Sequence, residues 1–263
     1  MAKVRSPRAP LLLLAAVLAA ACSRSTAPPT SGSLQVTIAG LPSIATPSVM
    51  VTGPHGFSQV LTASSTLSDL ALGSYVVTPS DVPVSQATYA APSSNASVVG
   101  AADPVLDSVA YAPKTSFLSY VSDPGDYIGA GQTAYIAFGD ATWSDQLDVS
   151  AGIEQLGLSV VSTAGYSGFW WYIHFAAPQG RTLAVGSYPL ATRWPFQAPS
   201  APGFDFSGSG RGCNMSSGQF EILSIDIAAD SSVNWFHARF EQHCENMTPA
   251  LRGEVVVLAN PWR

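Results

Sequence analysis

The chain has 263 residues, which is long enough for two domains that each bury a core. Only 11% of the residues are charged. Three of the eleven Lys and Arg residues precede residue 10, so the rest of the chain has eight basic and seventeen acidic residues and a net charge of −9. This acidic balance excludes nucleic acid as a partner, because a negative surface repels phosphate backbones.

The N terminus has the three parts of an export signal. Basic residues precede the apolar run 11–18, small residues follow it, and the run is too short to span a bilayer. The stretch 18–22, Leu-Ala-Ala-Ala-Cys, resembles the lipobox of bacterial lipoproteins, with Cys22 at the position that this family lipidates. The resemblance implies a signal peptide over 1–21 and a lipid anchor at Cys22, and Ser23 after it implies the outer membrane or cell surface. Ordinary cleavage that leaves a free cysteine is the alternative.

Residues 22–32 lack apolar periodicity and predict a flexible tether. From 33 to 113 the pattern changes to short alternating runs, such as Leu34, Val36 and Ile38, with turn residues every eight to twelve positions. This spacing predicts a small β-sandwich.

Three stretches of this region carry a resemblance to a known family. Residues 32–42 (Gly-Ser-Leu-Gln-Val-Thr-Ile-Ala-Gly-Leu-Pro), 51–57 and 73–77 look like the prealbumin-like or Cna-B-like sandwich repeats of bacterial surface proteins. Members of that group usually act as spacers, so the resemblance implies an immunoglobulin-like spacer without chemistry of its own.

Residues 114–263 predict a second, larger all-β domain. No window shows a sustained helical period. Ten strands with Gly and Pro between them favour a larger sandwich or a jelly roll. The predicted strands are 117–121, 133–138, 146–149, 156–161, 168–176, 182–188, 204–207, 219–228, 232–243 and 254–258.

The strands 219–228 and 232–243 flank a predicted turn at 229–231 and so form a hairpin. Apart from Cys22, the chain has two cysteines, Cys213 and Cys244, at the ends of this region. In an oxidising compartment they are expected to pair, closing a loop of about 32 residues and contributing roughly 3.5 kcal/mol. Two separate buried thiols are the alternative.

Several stretches of the second domain resemble a module of exported bacterial proteins whose activity is unknown. The resemblance implies no activity that could be transferred to this chain. It rests on residues 175–180, 186–188, 191–197, 202–205, 208–214 and 240–244.

The predicted strand 233–244 separates its side chains by parity, and the polar set shares one face. That set includes Trp235, His237, Arg239, Glu241 and His243. The face is interpreted either as solvated surface or as a ligand-binding surface. Its two histidines are roughly 20 Å apart in an extended strand, which argues against a shared metal ion, and no cofactor is expected.

A second candidate is aromatic. Trp170 and Tyr172 share one face of the strand 168–176, and with Trp194 and Trp235 they could form a platform that stacks on sugar rings or apolar surfaces. The alternative is that both faces of this strand are buried.

These features predict a non-enzymatic, lipid-anchored surface protein that presents a β-sandwich for binding carbohydrate or another surface protein. Two alternatives stay open. One is a polysaccharide hydrolase that uses Glu241 or Asp205 together with Glu221, and the other is a purely structural envelope protein.

Overall fold

The computed structural model describes residues 29–100 and 102–258, and this part of the chain is all-β, as the sequence predicts. Its helical content is three 3-10 turns of three residues each, Pro54–Gly56, Phe138–Asp140 and Gly165–Ser167. The predicted signal peptide and Cys22 lie outside the described residues. None of the helical turns in the described ranges has the length and apolarity that crossing a membrane requires.

The first ten strands build the N-terminal domain. They are β1 (Ser31–Ala39), β2 (Val49–Thr52), β3 (Ser58–Leu61), β4 (Ser65–Ala71), β5 (Gly73–Pro79), β6 (Val82–Val84), β7 (Ala87–Ala90), β8 (Ser94–Val98), β9 (Val105–Ala110) and β10 (Ala112–Pro113). Two sheets, β4-β1-β9 and β3-β2-β5-β8, enclose a core, and a small third sheet has the order β10-β7-β6. The strand β1 begins two residues before the predicted start of the sandwich at residue 33, because Ser31 and Gly32 already pair with β4.

The alternation predicted for this domain is confirmed in its core. Leu34 and Val36 of β1 are fully buried, and so are Tyr75 and Val77 of β5, whereas the residues between them are more exposed. Each strand therefore buries one face against the opposite sheet.

The remaining ten strands form one large sheet. They are β11 (Phe117–Ser122), β12 (Thr133–Ala137), β13 (Ala141–Ser150), β14 (Ile153–Ser162), β15 (Trp170–Ala176), β16 (Gly186–Arg193), β17 (Gly203–Gly208), β18 (Ser216–Ile227), β19 (Val233–Cys244) and β20 (Leu251–Leu258). Their order is β12-β11-β20-β19-β18-β16-β17-β15-β14-β13, and the sheet folds over so that its inner face encloses a single core.

All ten strands predicted for this region are present, with shifted bounds. The largest shift is in β16, which begins at Gly186 and continues to Arg193 rather than covering 182–188. A register irregularity between Tyr188 and Ala191, with Leu190 at a φ of 57°, lets the strand continue past Pro189.

The inner face of the large sheet is rich in phenylalanine. The ring of Phe175 lies 4.9 Å from that of Phe236 and 5.2 Å from that of Phe204, measured between centroids. Trp171 and Ile173 are buried on the same face as Phe175. The parity assigned to β15 and β19 from the sequence is therefore correct.

The predicted hairpin and disulfide are also present. The strands β18 and β19 pair antiparallel, and the amide of Ala228 donates to the carbonyl of Ser232 at 2.8 Å across the turn. Cys213 and Cys244 are bridged, with their Cα atoms 5.2 Å apart and both side chains buried.

The two domains share an interface. Phe117 of β11 and Val256 of β20 are buried in the same apolar cluster as Tyr89 and Tyr111 of the N-terminal domain. The outer face of the large sheet is therefore covered along one row of residues by the N-terminal domain.

Candidate functional site

The outer face of the large sheet carries two parallel rows of mostly polar side chains. The first row, read across β16, β18, β19, β20, β11 and β12 in register, contains Ser187, Glu221, Arg239, Glu254, Ser119 and Tyr135. The second row, across β18, β19, β20, β11 and β12, contains Gln219, Glu241, Arg252, Val121 and Thr133. Because neighbouring strands are about 4.8 Å apart, the first row is roughly 24 Å long.

Three adjoining cavities follow these rows, and we call them together the groove. A cavity of about 450 Å³ beside Leu190 shares Gln219 and Glu241 with a central cavity of about 340 Å³. The central cavity shares Arg239 and Arg252 with a third cavity of about 480 Å³, which reaches Tyr135. Together the three cavities are lined by residues of six neighbouring strands.

The centre of the groove contains a network of ion pairs. Nε of Arg252 donates to Oε2 of Glu241 at 2.7 Å, and its Nη1 donates to Oδ2 of Asp123 at 3.0 Å. Nε2 of His243 lies 3.1 Å from the other oxygen of Glu241. Burial raises the pKa of Glu241, but the hydrogen bonds from His243 and Arg252 outweigh it, so the pKa falls below its usual value. Glu241 is therefore an ionised acceptor.

The guanidinium of Arg239 is more available to a ligand than that of Arg252, which is bound to two carboxylates. Its closest acidic contact is Nε to Oε2 of Glu254 at 3.7 Å, and 39% of its side chain is exposed. Glu221, which stands opposite Arg239 in the register, is exposed. A donor and an acceptor therefore stand side by side where two of the cavities meet.

Glu254 lies at the floor of the groove beside the N-terminal domain. Its Oε1 accepts from Nε2 of His237 at 2.8 Å, and its Oε2 accepts from Oγ of Ser85 at 2.5 Å. Burial raises the pKa of Glu254, but these hydrogen bonds and the positive charge of Arg239 outweigh burial and lower the pKa below its usual value.

His237 lies on the predicted face of β19, but it is not solvated. Its Nδ1 is 2.8 Å from the hydroxyl of Tyr89, which is 2.7 Å from Oγ of Ser224, and His237 is 0% exposed. Burial, opposed in part by the Ser224 hydrogen bond, raises the pKa of Tyr89 to about 12. The N-terminal domain covers His237, so its expected role in contacting a ligand is corrected to a role in the domain interface. Arg239 and Glu241, by contrast, line the groove.

The four candidate aromatic residues lie outside the groove. Trp235 is on β19 beyond His237, opposite Asp226, so the covered row separates it from the groove. Trp170 and Tyr172 are on β15, and Trp194 stacks on His174 with the ring centroids 3.8 Å apart. Within the described residues, none of the four lines any of the three cavities.

The carboxylates considered for hydrolysis are divided by the fold. Glu221 and Glu241 both line the central cavity. Asp205 is buried on β17, where its Oδ2 accepts from Ser207 at 2.7 Å and its Oδ1 is 3.9 Å from Nε of Arg193. Burial raises the pKa of Asp205 in spite of these partners. Asp205 does not line the groove cavities.

Reasoning from the sequence missed several residues of the groove. They are Ser85, Gln86, Ser119, Tyr135, Gln219 and Arg252. Across the described part of the chain, no group of three or more His, Cys, Asp and Glu side chains is placed to hold a metal ion.

The fold and the groove define an all-β protein with a long, mixed-charge surface groove. Comparison with known proteins adds nothing to this description, since no family model, no curated protein and no solved structure matches the chain.

Proposed function

We propose that this protein is an exported, non-enzymatic binding protein, lipid-anchored through Cys22, whose groove binds an extended carbohydrate chain. The observation that carries the proposal is the groove itself, which extends over six strands and alternates acidic and basic side chains across its three central strands, β18, β19 and β20. An extended groove suits a polymer better than a compact small molecule.

The charge pattern of the groove favours a neutral, hydroxyl-rich ligand. Arg239 offers donors beside the acceptor Glu221, and the charge of Arg252 is already balanced by Glu241. Sugar hydroxyls both donate and accept hydrogen bonds, so they can use such alternating partners without adding net charge.

Tyr135 supplies an aromatic surface at one end of the groove. Tyr135 is 56% exposed, and its ring stacks on that of Phe117 with the centroids 5.5 Å apart and an interplanar angle of 15°. Phe117 is buried, so it holds the tyrosine ring in place. A fixed, exposed ring with a polar edge is suited to stacking on the apolar face of a sugar.

Hydrolysis of the same ligand is the second candidate function. Glu221 and Glu241 are diagonal neighbours on adjacent strands and both line the central cavity, so the groove holds the two carboxylates that glycoside hydrolysis requires. A general acid, however, needs a raised pKa, and the hydrogen bonds of His243 and Arg252 outweigh burial and lower the pKa of Glu241. Glu241 is therefore not suited to act as the general acid, which favours binding over hydrolysis through this residue.

The proposal predicts that a carbohydrate stabilises the native protein and that Tyr135→Ala weakens its binding. Thermal unfolding of the purified chain is measured against dextran, xylan and mixed-linkage glucan, and any shift is followed by calorimetric titration. We expect one polymer class to raise the midpoint, because a ligand of the native state stabilises it by mass action. Loss of the stacking surface should weaken affinity roughly tenfold, as expected for an aromatic contact.

Tyr127→Ala is the matched control, because Tyr127 is equally exposed, at 56%, and does not line the groove. Equal affinities of the two variants, or no midpoint shift with any of the polymers, would contradict the proposal. Release of reducing ends during the titration would instead favour the hydrolase.

The lipid anchor is tested separately through Cys22→Ala. If Cys22 is acylated, this variant of the full chain should leave the membrane fraction of bacterial cells, because the acyl chains are the proposed attachment. Fractionation followed by immunoblotting measures the distribution. Continued sedimentation of Cys22→Ala with membranes would refute the anchor and leave the groove proposal untouched.

A further inference from the structure

We propose that the ligand site spans both domains, with the β6–β7 hairpin of the N-terminal domain forming one fixed wall of the groove and Gln86 contacting the ligand. This inference rests on the proposed function, and it replaces the spacer role that the sequence resemblance implies for the N-terminal domain.

The turn of this hairpin reaches directly onto the large sheet. Ser85 and Gln86 connect β6 to β7, and both line the cavity that also contains Tyr135 and Arg239. Nε2 of Gln86 donates to Oγ of Ser119 at 2.9 Å, so the turn touches a residue of the first groove row. The N-terminal domain therefore contributes side chains to the groove itself.

The hairpin is held rigidly in this position. Tyr89, on β7, is fully buried and hydrogen-bonded to His237 and Ser224 of the large sheet. The strand β7 also pairs with β10, and the amide of Lys114 donates to the carbonyl of Thr88 at 2.8 Å. Moving the hairpin away from the sheet would break these hydrogen bonds and expose the buried ring of Tyr89 to water, which is costly.

The chemistry of the turn assigns different roles to its two side chains. The hydroxyl of Ser85 is committed to Glu254, at 2.5 Å. Gln86 is exposed, and its carboxamide donates to Ser119, so its carbonyl oxygen remains an acceptor at the rim of the groove. A sugar hydroxyl lying on Tyr135 can donate to this oxygen. Gln86 is therefore the residue of the N-terminal domain that we expect to touch the ligand.

The test compares Gln86→Ala with Gln59→Ala in the full chain, by calorimetric titration with whichever of dextran, xylan or mixed-linkage glucan stabilises the unaltered protein. Gln59 is a matched control, because it is exposed on β3 of the same domain and does not line the groove. We expect Gln86→Ala to bind about three- to tenfold more weakly, the loss typical of one hydrogen bond, and Gln59→Ala to bind normally.

Hydrogen exchange of the unliganded chain tests the fixed wall without a ligand. The amides of β7 should exchange as slowly as those of β19, because both are released only by global unfolding. Fast exchange in β7 would overturn the inference whatever the titrations show.

The titration outcomes separate the two proposals. Normal affinity of Gln86→Ala together with weakened binding by Tyr135→Ala would overturn the composite site and leave the proposed function standing. Failure of the unaltered chain to bind any of the polymers would overturn the proposed function and, with it, the ligand contact at Gln86. Slow hydrogen exchange in β7 would in that case still show that the hairpin is fixed on the large sheet.

Discussion

Replacing His237 by alanine is expected to lower the free energy of unfolding by about 2–4 kcal/mol, because it leaves a buried, charged acceptor without its main hydrogen-bond donor. His237 is fully buried between the two domains, where its ring bonds to Glu254 on one side and to Tyr89 on the other, each at 2.8 Å. The alanine variant leaves the carboxylate of Glu254 buried without its main donor and the hydroxyl of Tyr89 without one of its two partners. Both domains lose stability together because the network joins them.

Urea unfolding of the purified chain, followed by tryptophan fluorescence and circular dichroism, measures this change. His243→Ala is the matched control, because His243 lies on the same face of β19 but is part of a more exposed pair with Glu241, whose loss should cost no more than about 1 kcal/mol. Tyr89→Phe removes only one hydroxyl and should cost about 1–2 kcal/mol. A His237→Ala variant as stable as His243→Ala would show that the network does not hold the domains together.

The same network determines how stability responds to acid. The pKa of Glu254 is lower in the folded protein than its ordinary value of 4.5, so the folded state binds fewer protons than the unfolded state in this range. The stabilisation from Glu254 is therefore complete above about pH 4.5 and is lost as the pH falls further through the folded pKa. In Glu254→Gln this contribution is absent, and the decline in stability below pH 4.5 should be shallower than in the unaltered protein.

Local sequence patterns were sufficient to predict much of the fold. The strict alternation in β19 assigns Phe236, Ala238 and Phe240 to the core, and the structure buries all three. The turn at 229–231 and the pairing of Cys213 with Cys244 followed from turn chemistry and from the small number of cysteines. The alternation and the turn depend on residues that are close in sequence, and the disulfide follows from there being two cysteines besides Cys22. A single sequence was therefore sufficient to predict them.

The groove could not be predicted in the same way, because it depends on register and on contacts between domains. Tyr135 is placed beside Ser119 and Glu254 only by the pairing of β12 with β11 and of β11 with β20. The strands β6 and β7 have three and four residues, and Pro83 in the first of them argues against a strand. Nothing near His237 in the sequence distinguishes it from the partly exposed His243, since its burial comes from Tyr89, which is 148 positions away.

Loss of the disulfide is the second large effect that we expect. Replacing both Cys213 and Cys244 by serine should lower the free energy of unfolding by roughly 3.5 kcal/mol, from the entropy that the unfolded chain regains when a loop of about 32 residues is no longer closed. Two further interactions set the location of this constraint. Cys244 ends β19, and Gln242, two residues earlier, bonds to both the amide and the carbonyl of Phe206, so the bridge closes the edge of the core where β17, β18 and β19 meet.

Urea unfolding of the double serine variant, beside Cys22→Ala, measures the effect. Cys22→Ala should unfold like the unaltered chain, since the bridge joins the other two cysteines. Free thiols at Cys213 and Cys244 in non-reducing peptide maps of the unaltered protein, or equal stability of the double variant, would contradict the prediction.

The chain-entropy account places the effect of the disulfide in the unfolded state. The double variant should therefore bind its ligand with unchanged affinity wherever it remains folded. Weaker binding would instead mean that the bridge also positions Glu241 and His243, which precede Cys244 on the same strand.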